Sequence, residues 1–283
     1  MNLTKAIAIA RALGGSSGSG GGGSGGGNID ENDGATYLYI TLAEGRTSPM
    51  LGVGVNGTVT VDWGDGTKPD VLTGTSTSTT VWTPNHSYAK PGDYVIRLTV
   101  DGTMDFKGDT SSNTGCRLLR YSSSSDNRNI AYRNAIKRVK LGNGIAFGEN
   151  YSFAYCGSLV SATLPEGCPK ITYGMFRECA ALATVEIPDS VTKIVDQAFS
   201  ACSSLAGAAI PPNVTNVSSY TFQNCYALAY VDFTRHTAVP ALTTPAPFSN
   251  IPADCEIRVP AALYDEWIAA TNWATYADYI KAY

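Results

Sequence analysis

FAYCGSLVSATLP (153–165), FRECAALATVEIP (176–188), FSACSSLAGAAIP (199–211) and FQNCYALAYVDFT (222–234) are four runs on one template, each starting 23 residues after the last. Cys156, Cys179, Cys202 and Cys225 follow the phenylalanines by three places, and Leu159, Leu182, Leu205 and Leu228 follow by six. Eleven places on stand Leu164, Ile187, Ile210 and Phe233. A fixed period of this size is the mark of stacked structural units. One such unit has a single apolar face and cannot bury it alone, so roughly three or more must pile up before any is stable. Ile130, Ile136, Val139 and Leu141 make a weaker copy upstream, which sets the array at about residues 130–235.

The run L-x-x-[AV]-x-[LIF], as in Leu182, Val185 and Ile187, has the spacing of a leucine-rich repeat, with a short strand turning apolar residues inward. The full consensus, F-x-x-C-x-x-L-x-x-V-x-[IL]-P with Val or Ile about five residues before the next Phe, resembles the BspA-type (Treponema-type) leucine-rich repeats of bacterial surface proteins. The ending AALYDEWIAATNWATYADYIKAY (261–283) resembles the helical closure of that family's arrays. Residues 236–283 therefore read as a cap, with Leu263, Trp267, Trp273, Tyr276 and Ile280 covering the last coil and Asp265, Glu266 and Asp278 facing water.

Upstream of the array the periodicity changes to two. YLYITL (37–42), TVTVDW (58–63) and DYVIRLTV (93–100) alternate apolar and polar residues between Gly, Pro and Asp turns, which predicts a small two-sheet sandwich. Asp65-Gly66 and Pro91-Gly92 supply the reversals, Trp63 is expected in the inter-sheet core, and Tyr94, Ile96, Leu98 and Val100 share one face of the last strand. WGDGT at 63–67 with HSYAKPGDYVIRLTV at 86–100 resembles the PKD family of Ig-like domains, whose W-G-D-G motif and later H-x-Y-x-x-P-G-x-Y segment are both present. The expected fold is thus mainly β: a PKD-like, Ig-like β-sandwich at 28–101, a connector at 102–129, and a leucine-rich-repeat solenoid with a C-terminal helical cap.

The first 27 residues differ from both. Leu3, Ala6, Ile7, Ala10 and Leu13 fall on one side of a helix spanning residues 1–13, an amphipathic stripe too short to be stable in water by itself. It calls for a partner surface or copies of itself, hence possible homo-oligomerisation, and Leu3, Ile7, Ala10 and Leu13 are the expected anchor. Gly14 to Gly27 is only Gly and Ser, a flexible tether whose ends lie roughly 20 Å apart on average. Arg11 breaks the apolar run, which does not read as a secretory signal. MNLTKAIAIARALGG followed by poly-Gly resembles the N-termini of phage structural proteins.

Function classes can be set aside on composition. No stretch approaches the roughly 20 apolar residues that span a bilayer, and a formal charge of −4 offers nucleic acid no net attraction. Only His86 and His236 are present, so a histidine metal cluster or a Ser/His/Asp relay has no material. The four ladder cysteines recur at C-x22-C rather than in C-x2-C pairs, which fits a packing column better than zinc or disulfides. Asp62, Asp65 and Asp93 are turn residues that could hold calcium. No cofactor is expected, and no catalytic residue is assigned.

What remains is recognition. Arg117, Arg120, Arg128, Arg133, Lys137, Arg138 and Lys140 stand against the single acid Asp126 between Cys116 and Lys140, a local basic face suited to an anionic glycan or an acidic partner, or simply to solvent. The strand rows vary from coil to coil: Arg138, Ser161, Thr184, Gly207 and Tyr230 in one, and Lys140, Thr163, Glu186, Ala209 and Asp232 in the next. Arg138, Lys140, Glu186, Tyr230 and Asp232 are the expected ligand-binding residues. The expectation is a non-enzymatic adhesion or receptor-recognition protein on a phage or prophage virion, as a tail or head decoration. It would bind a host cell-surface protein or glycan, with a virion structural protein held through the N-terminal helix. A bacterial cell-surface or secreted adhesin and a carbohydrate-binding accessory protein are the alternatives.

Overall fold

The computed structural model describes residues 29–107, 132–244 and 246–283. The expected anchor Leu3, Ile7, Ala10 and Leu13, the Gly/Ser tether, Ile130, and Arg117, Arg120 and Arg128 lie outside them.

Four antiparallel strands form the N-terminal unit: β1 (Thr36–Leu42), β2 (Gly52–Asp62), β3 (Asp70–Trp82) and β4 (Gly92–Phe106). Their order is β3-β2-β4-β1, within one sheet. The two-sheet sandwich expected from the alternation is not the arrangement found among the described residues. Strand β2 pairs with β3 through a register shift between Gly54 and Val55, and with β4 from Arg97 to Phe106. A two-segment ribbon accompanies these strands, in which the Thr83, His86 and Tyr88 N–H groups donate to the carbonyls of Leu51, Pro49 and Thr47 at 2.9, 3.0 and 2.8 Å. Strand β3 had no sequence signal, since DVLTGTSTSTTVW is mostly Thr and Ser without apolar alternation.

Trp63 is fully buried. His86 stacks on it at 4.6 Å and 8°, and Tyr88 donates to the Trp63 carbonyl at 2.8 Å. The His86 ring lies 2.8 Å from the Asp65 carboxylate, while Asp70 accepts the indole N–H at 2.8 Å. The W-G-D-G and H-x-Y segments are therefore joined side chain to side chain. Asp62, Asp65 and Asp93 accept hydrogen bonds from Gly64, Thr67 and Thr41 respectively, so each closes its own turn or strand end.

The sheet does not end at β1. Strand β5 (Ile136–Lys140) pairs with it antiparallel, Tyr37 opposite Lys140 and Tyr39 opposite Arg138. Beyond β5 the direction becomes parallel through β6 (Ser161–Thr163) and β8 (Thr184–Glu186), giving a mixed seven-stranded sheet β3-β2-β4-β1-β5-β6-β8. Strands β10 (Gly207–Ala209), β12 (Tyr230–Asp232), β14 (Glu256–Val259) and β15 (Ile280–Ala282) carry the parallel ladder onward, linked to the earlier coils by the Ala206 N–H to Ala183 carbonyl bond of 3.2 Å. The opposite wall is β7 (Lys170–Ile171), β9 (Lys193–Ile194), β11 (Asn216–Val217) and β13 (Ala241–Leu242), also parallel.

Between the two walls runs a column of rings. Phe153, Phe176, Phe199, Phe222 and Phe248 stack at 5.7, 5.7, 5.5 and 5.8 Å, with planes within 13°. Phe106, from the last residue of β4, covers one end at 5.1 Å from Phe153, and Trp273 covers the other at 5.9 Å from Phe248. The tip of β4 is thus the lid of the stack, and the phenylalanine column continues to Phe248.

Cys156, Cys179, Cys202 and Cys225 are buried beside the rings. The thiols of Cys179, Cys202 and Cys225 reach back to the carbonyls of Phe153, Phe176 and Phe199 at 3.1, 3.1 and 3.2 Å. Each thiol so links its coil to the one before, and a small weak donor suits a site where a neighbour's carbonyl faces a dry interior. Burial pushes Cys225 and Cys255 up to about 12, so these sulfurs stay protonated and inert.

The closing segment is less helical than its sequence suggests. Helix α1 covers only Tyr264–Ala269, and Trp273–Tyr279 is a 3-10 turn entered through Asn272 at φ 67°. Trp267, Trp273, Tyr276 and Ile280 are buried. Ile280 opens strand β15 rather than lying on a helix. Asp265, Glu266 and Asp278 are exposed.

Candidate functional site

Strands β6, β10 and β12 bury their middle residue and point the flanking two outward, because side chains alternate along a strand, and Val139 of β5 and Ile257 of β14 are buried in the same way. Pairing aligns the outward residues into two rows. Arg138, Ser161 and Thr184 are in register, as are Gly207, Tyr230 and Glu256. The second row reads Lys140, Thr163, Glu186, then Ala209, Asp232, Arg258 and Lys281. The five expected site residues do lie on one face, but not in one cluster.

At the N-terminal end Arg138 is already engaged. Its guanidinium holds Glu31 through two bonds of 2.7 and 2.6 Å and lies 4.7 Å above the Tyr39 ring. Burial raises the Glu31 carboxyl, yet hydrogen bonds from Arg138 and Tyr39 outweigh this and hold it below the usual range. Lys140 sits 5.8 Å from the Tyr37 ring, and Arg97 pairs with Asp33 at 2.7 Å beside it. Arg138 therefore joins the N-terminal sheet to the first coil, a role that its strand position alone did not reveal.

The C-terminal end has a matching set. Arg258 lies 4.3 Å above Tyr230 and 5.1 Å above Tyr283, while Glu256 accepts from Arg258 at 2.9 Å and from the Tyr283 hydroxyl at 2.8 Å. A Cβ on Gly207 would come within 2.5 Å of the Tyr230 ring, so glycine lets that ring lie down on its neighbour strand. Asp232 accepts from the Thr234 N–H at 2.8 Å. Arg258 and Tyr283 were missed because both fall after the point where the 23-residue pattern loses its Cys and Leu.

Between the two ends the floor is made of small residues, Ser161, Thr163, Thr184, Gly207 and Ala209, with Glu186 among them. A shallow hollow of about 370 Å³ flanks this floor, lined by Thr163, Leu164, Glu166, Glu186, Ile187, Pro188 and Asp189. Asp189 is paired with Arg235 at 2.8 Å. Among the described residues no group of three or more His, Cys, Asp or Glu is arranged to hold a metal. Among them, too, no helix is long and apolar enough to cross a membrane.

The stacked coils, the parallel ladder and the outward rows define a leucine-rich-repeat architecture. Residues 127–240 match the BspA type leucine rich repeat region in six copies. Among solved structures the chain is similar to the leucine rich repeat protein of T. pallidum, at 26% identity over 44% of this chain and 59% of that one, with a TM-score of 0.37. A leucine-rich repeat protein from Bacteroides ovatus is 18% identical over 53% of this chain and 37% of its own, with a TM-score of 0.40. A leucine rich cell surface protein from Faecalibacterium prausnitzii is 23% identical over 52% of this chain and 37% of its own, with a TM-score of 0.30. The chain thus spans less than two thirds of each of these proteins. No curated protein matches it significantly in sequence.

Proposed function

We propose that the chain is a non-enzymatic adhesion or receptor-recognition protein that binds a host cell-surface partner through the outward strand rows. The observation that carries this is a contrast. Phe, Cys and Leu stay fixed beneath the sheet, while the residues above them change at every coil, the design of a scaffold that displays side chains. Tyrosine and arginine at the two ends are the residue types that most often anchor interfaces, and the small floor between them leaves room for a partner's side chains.

The display setting we propose is a phage or prophage virion, with a structural protein of the particle gripping residues 1–13. What supports it is the amphipathic N-terminal stretch followed by the Gly/Ser tether. Incorporation of a chain lacking residues 1–13 into particles tests that part; undiminished incorporation rejects it.

The binding reading is tested with labelled full chain on intact bacterial cells of candidate hosts. Tyr230→Ala and Glu186→Lys should each reduce cell binding about tenfold or more without lowering the unfolding midpoint. Binding equal to that of the parent for both variants would reject the strand face.

A further inference from the structure

A second cluster lies away from the strand rows, at the turns that carry the phenylalanine column. Arg133 stands one 23-residue period before Cys156, in the place where later coils put a thiol. It is buried, and its Nε is sealed from solvent with no hydrogen-bond acceptor. Its guanidinium lies 5.3 Å from the Tyr155 ring centroid, and Arg177 lies 5.9 Å from the same ring. Neither arginine takes part in an ion pair among the described residues. A buried charge without a counter-charge is rare, because leaving water is repaid only by a partner.

The tyrosines around these two arginines are held in place. Tyr151 and Tyr173 meet at 5.2 Å and 70°. Room for the Tyr151 ring comes from Gly174, where a Cβ would approach it to 2.6 Å. Backbone conformation does not demand glycine there. Gln197 and Tyr220 occupy the same place in the next two coils at φ 59° and 55°, beside 57° for Gly174. Glycine is kept where the ring needs space, so the cluster is built rather than accidental.

We infer that Arg133 and Arg177, framed by Tyr151, Tyr155 and Tyr173, form a binding site for an acidic saccharide, a sugar carrying a carboxylate or sulfate group. Planar guanidiniums match such oxyanions through paired N–H donors. Half-exposed tyrosine rings offer apolar faces and hydroxyls to the sugar itself. A long nucleic acid is a poorer fit, since the chain is acidic overall at −4. The site stands whether or not the strand rows bind a partner, because the two share no residue.

Calorimetric titration of the full chain tests the site with four probes: a heparin tetrasaccharide, an oligogalacturonate tetrasaccharide, neutral maltotetraose and inorganic sulfate. At least one acidic oligosaccharide should bind and maltotetraose should not. Arg177→Gln should weaken binding about tenfold with the unfolding midpoint of the parent. The exposed Arg46→Gln should leave affinity unchanged. Absence of binding by both acidic oligosaccharides, equal binding of maltotetraose, or equal losses in Arg177→Gln and Arg46→Gln would overturn the site. Sulfate binding as tightly as the oligosaccharides would overturn the saccharide assignment, since a bare oxyanion would then suffice.

Discussion

Tyr155, Glu178, Ala201, Asn224 and Asn250 adopt φ between 59° and 63°, two residues after each phenylalanine of the column. A left-handed residue with a Cβ costs about 1–2 kcal/mol, and only asparagine among these has a local reason to tolerate it. Ala201→Gly should therefore raise stability by about 0.5–1 kcal/mol, the relief being partly offset by the freer unfolded chain. Chemical denaturation measures this, and a loss of stability would show that the turn carries no strain.

Asp105 is a second residue with a measurable consequence. It is buried where β4 meets the first coil, and one of its oxygens accepts the Gly148 and Glu149 N–H groups at 2.6 and 2.9 Å. Burial pushes its carboxyl up to about 6, against the two backbone bonds and Lys107, which favour the charge. A raised folded value means that the folded state holds this proton more tightly than the unfolded chain. The stabilising contribution is full below about pH 4 and is lost as pH rises through about 6. Asp105→Asn keeps an acceptor oxygen and cannot ionise, so its stability relative to the parent should improve from pH 4 to pH 7, by up to about 3 kcal/mol. Urea unfolding across that range checks it; a constant difference would contradict the ionisation.

Among the elements, the coils were the most readable from sequence, for a definite reason. A strict 23-residue repeat places Phe176, Cys179 and Leu182 in one environment and their copies in the same one, so periodicity alone assigns burial. Phe248 escaped because its coil arrives 26 residues after Phe222 and lacks the Cys and Leu that would have marked it. The repeat spacing places Arg138 and Lys140 at outward strand positions, but their engagement by Glu31 and Tyr37 depends on the β1–β5 pairing. Pairing between strands some 100 residues apart leaves no trace in local alternation. The single N-terminal sheet was illegible on similar grounds, since alternation tells which face of a strand is apolar and not which layer covers it. In sequence Arg133 is one member of a basic run, and its burial against Tyr155 depends on the fold. Phe199→Ala, at the centre of the ring column, should cost about 3–5 kcal/mol. Phe199→Leu should cost clearly less, and equal costs would mean that the stacked rings are not what holds adjacent coils together.

For the molecule as a whole, the N-terminal sheet and the coils share one core. Phe106 packs on Phe153, Ser152 donates to the Phe106 carbonyl at 3.0 Å, the Met104 N–H donates to the Gly144 carbonyl at 2.7 Å, and the Gly142 N–H donates to the Thr36 hydroxyl at 2.8 Å. Repeat stacks need their end coils covered, and here a different kind of unit does the covering. Scanning calorimetry of the full chain should show a single transition, and Phe106→Ala should lower it as one event. Two separated transitions, with only the first moved by the substitution, would mean that the units unfold independently.

The backbone hydrogen bonds that carry β1 into β5 also remove any swivel between the two ends of the outward face. Arg138 on β5 and Arg258 on β14 are separated by five strand steps, roughly 24 Å at about 4.8 Å per step. A face with fixed end points works as a gauge: a partner whose own contacts match that span can engage both at once with a gain in effective concentration, whereas a shorter one must choose an end.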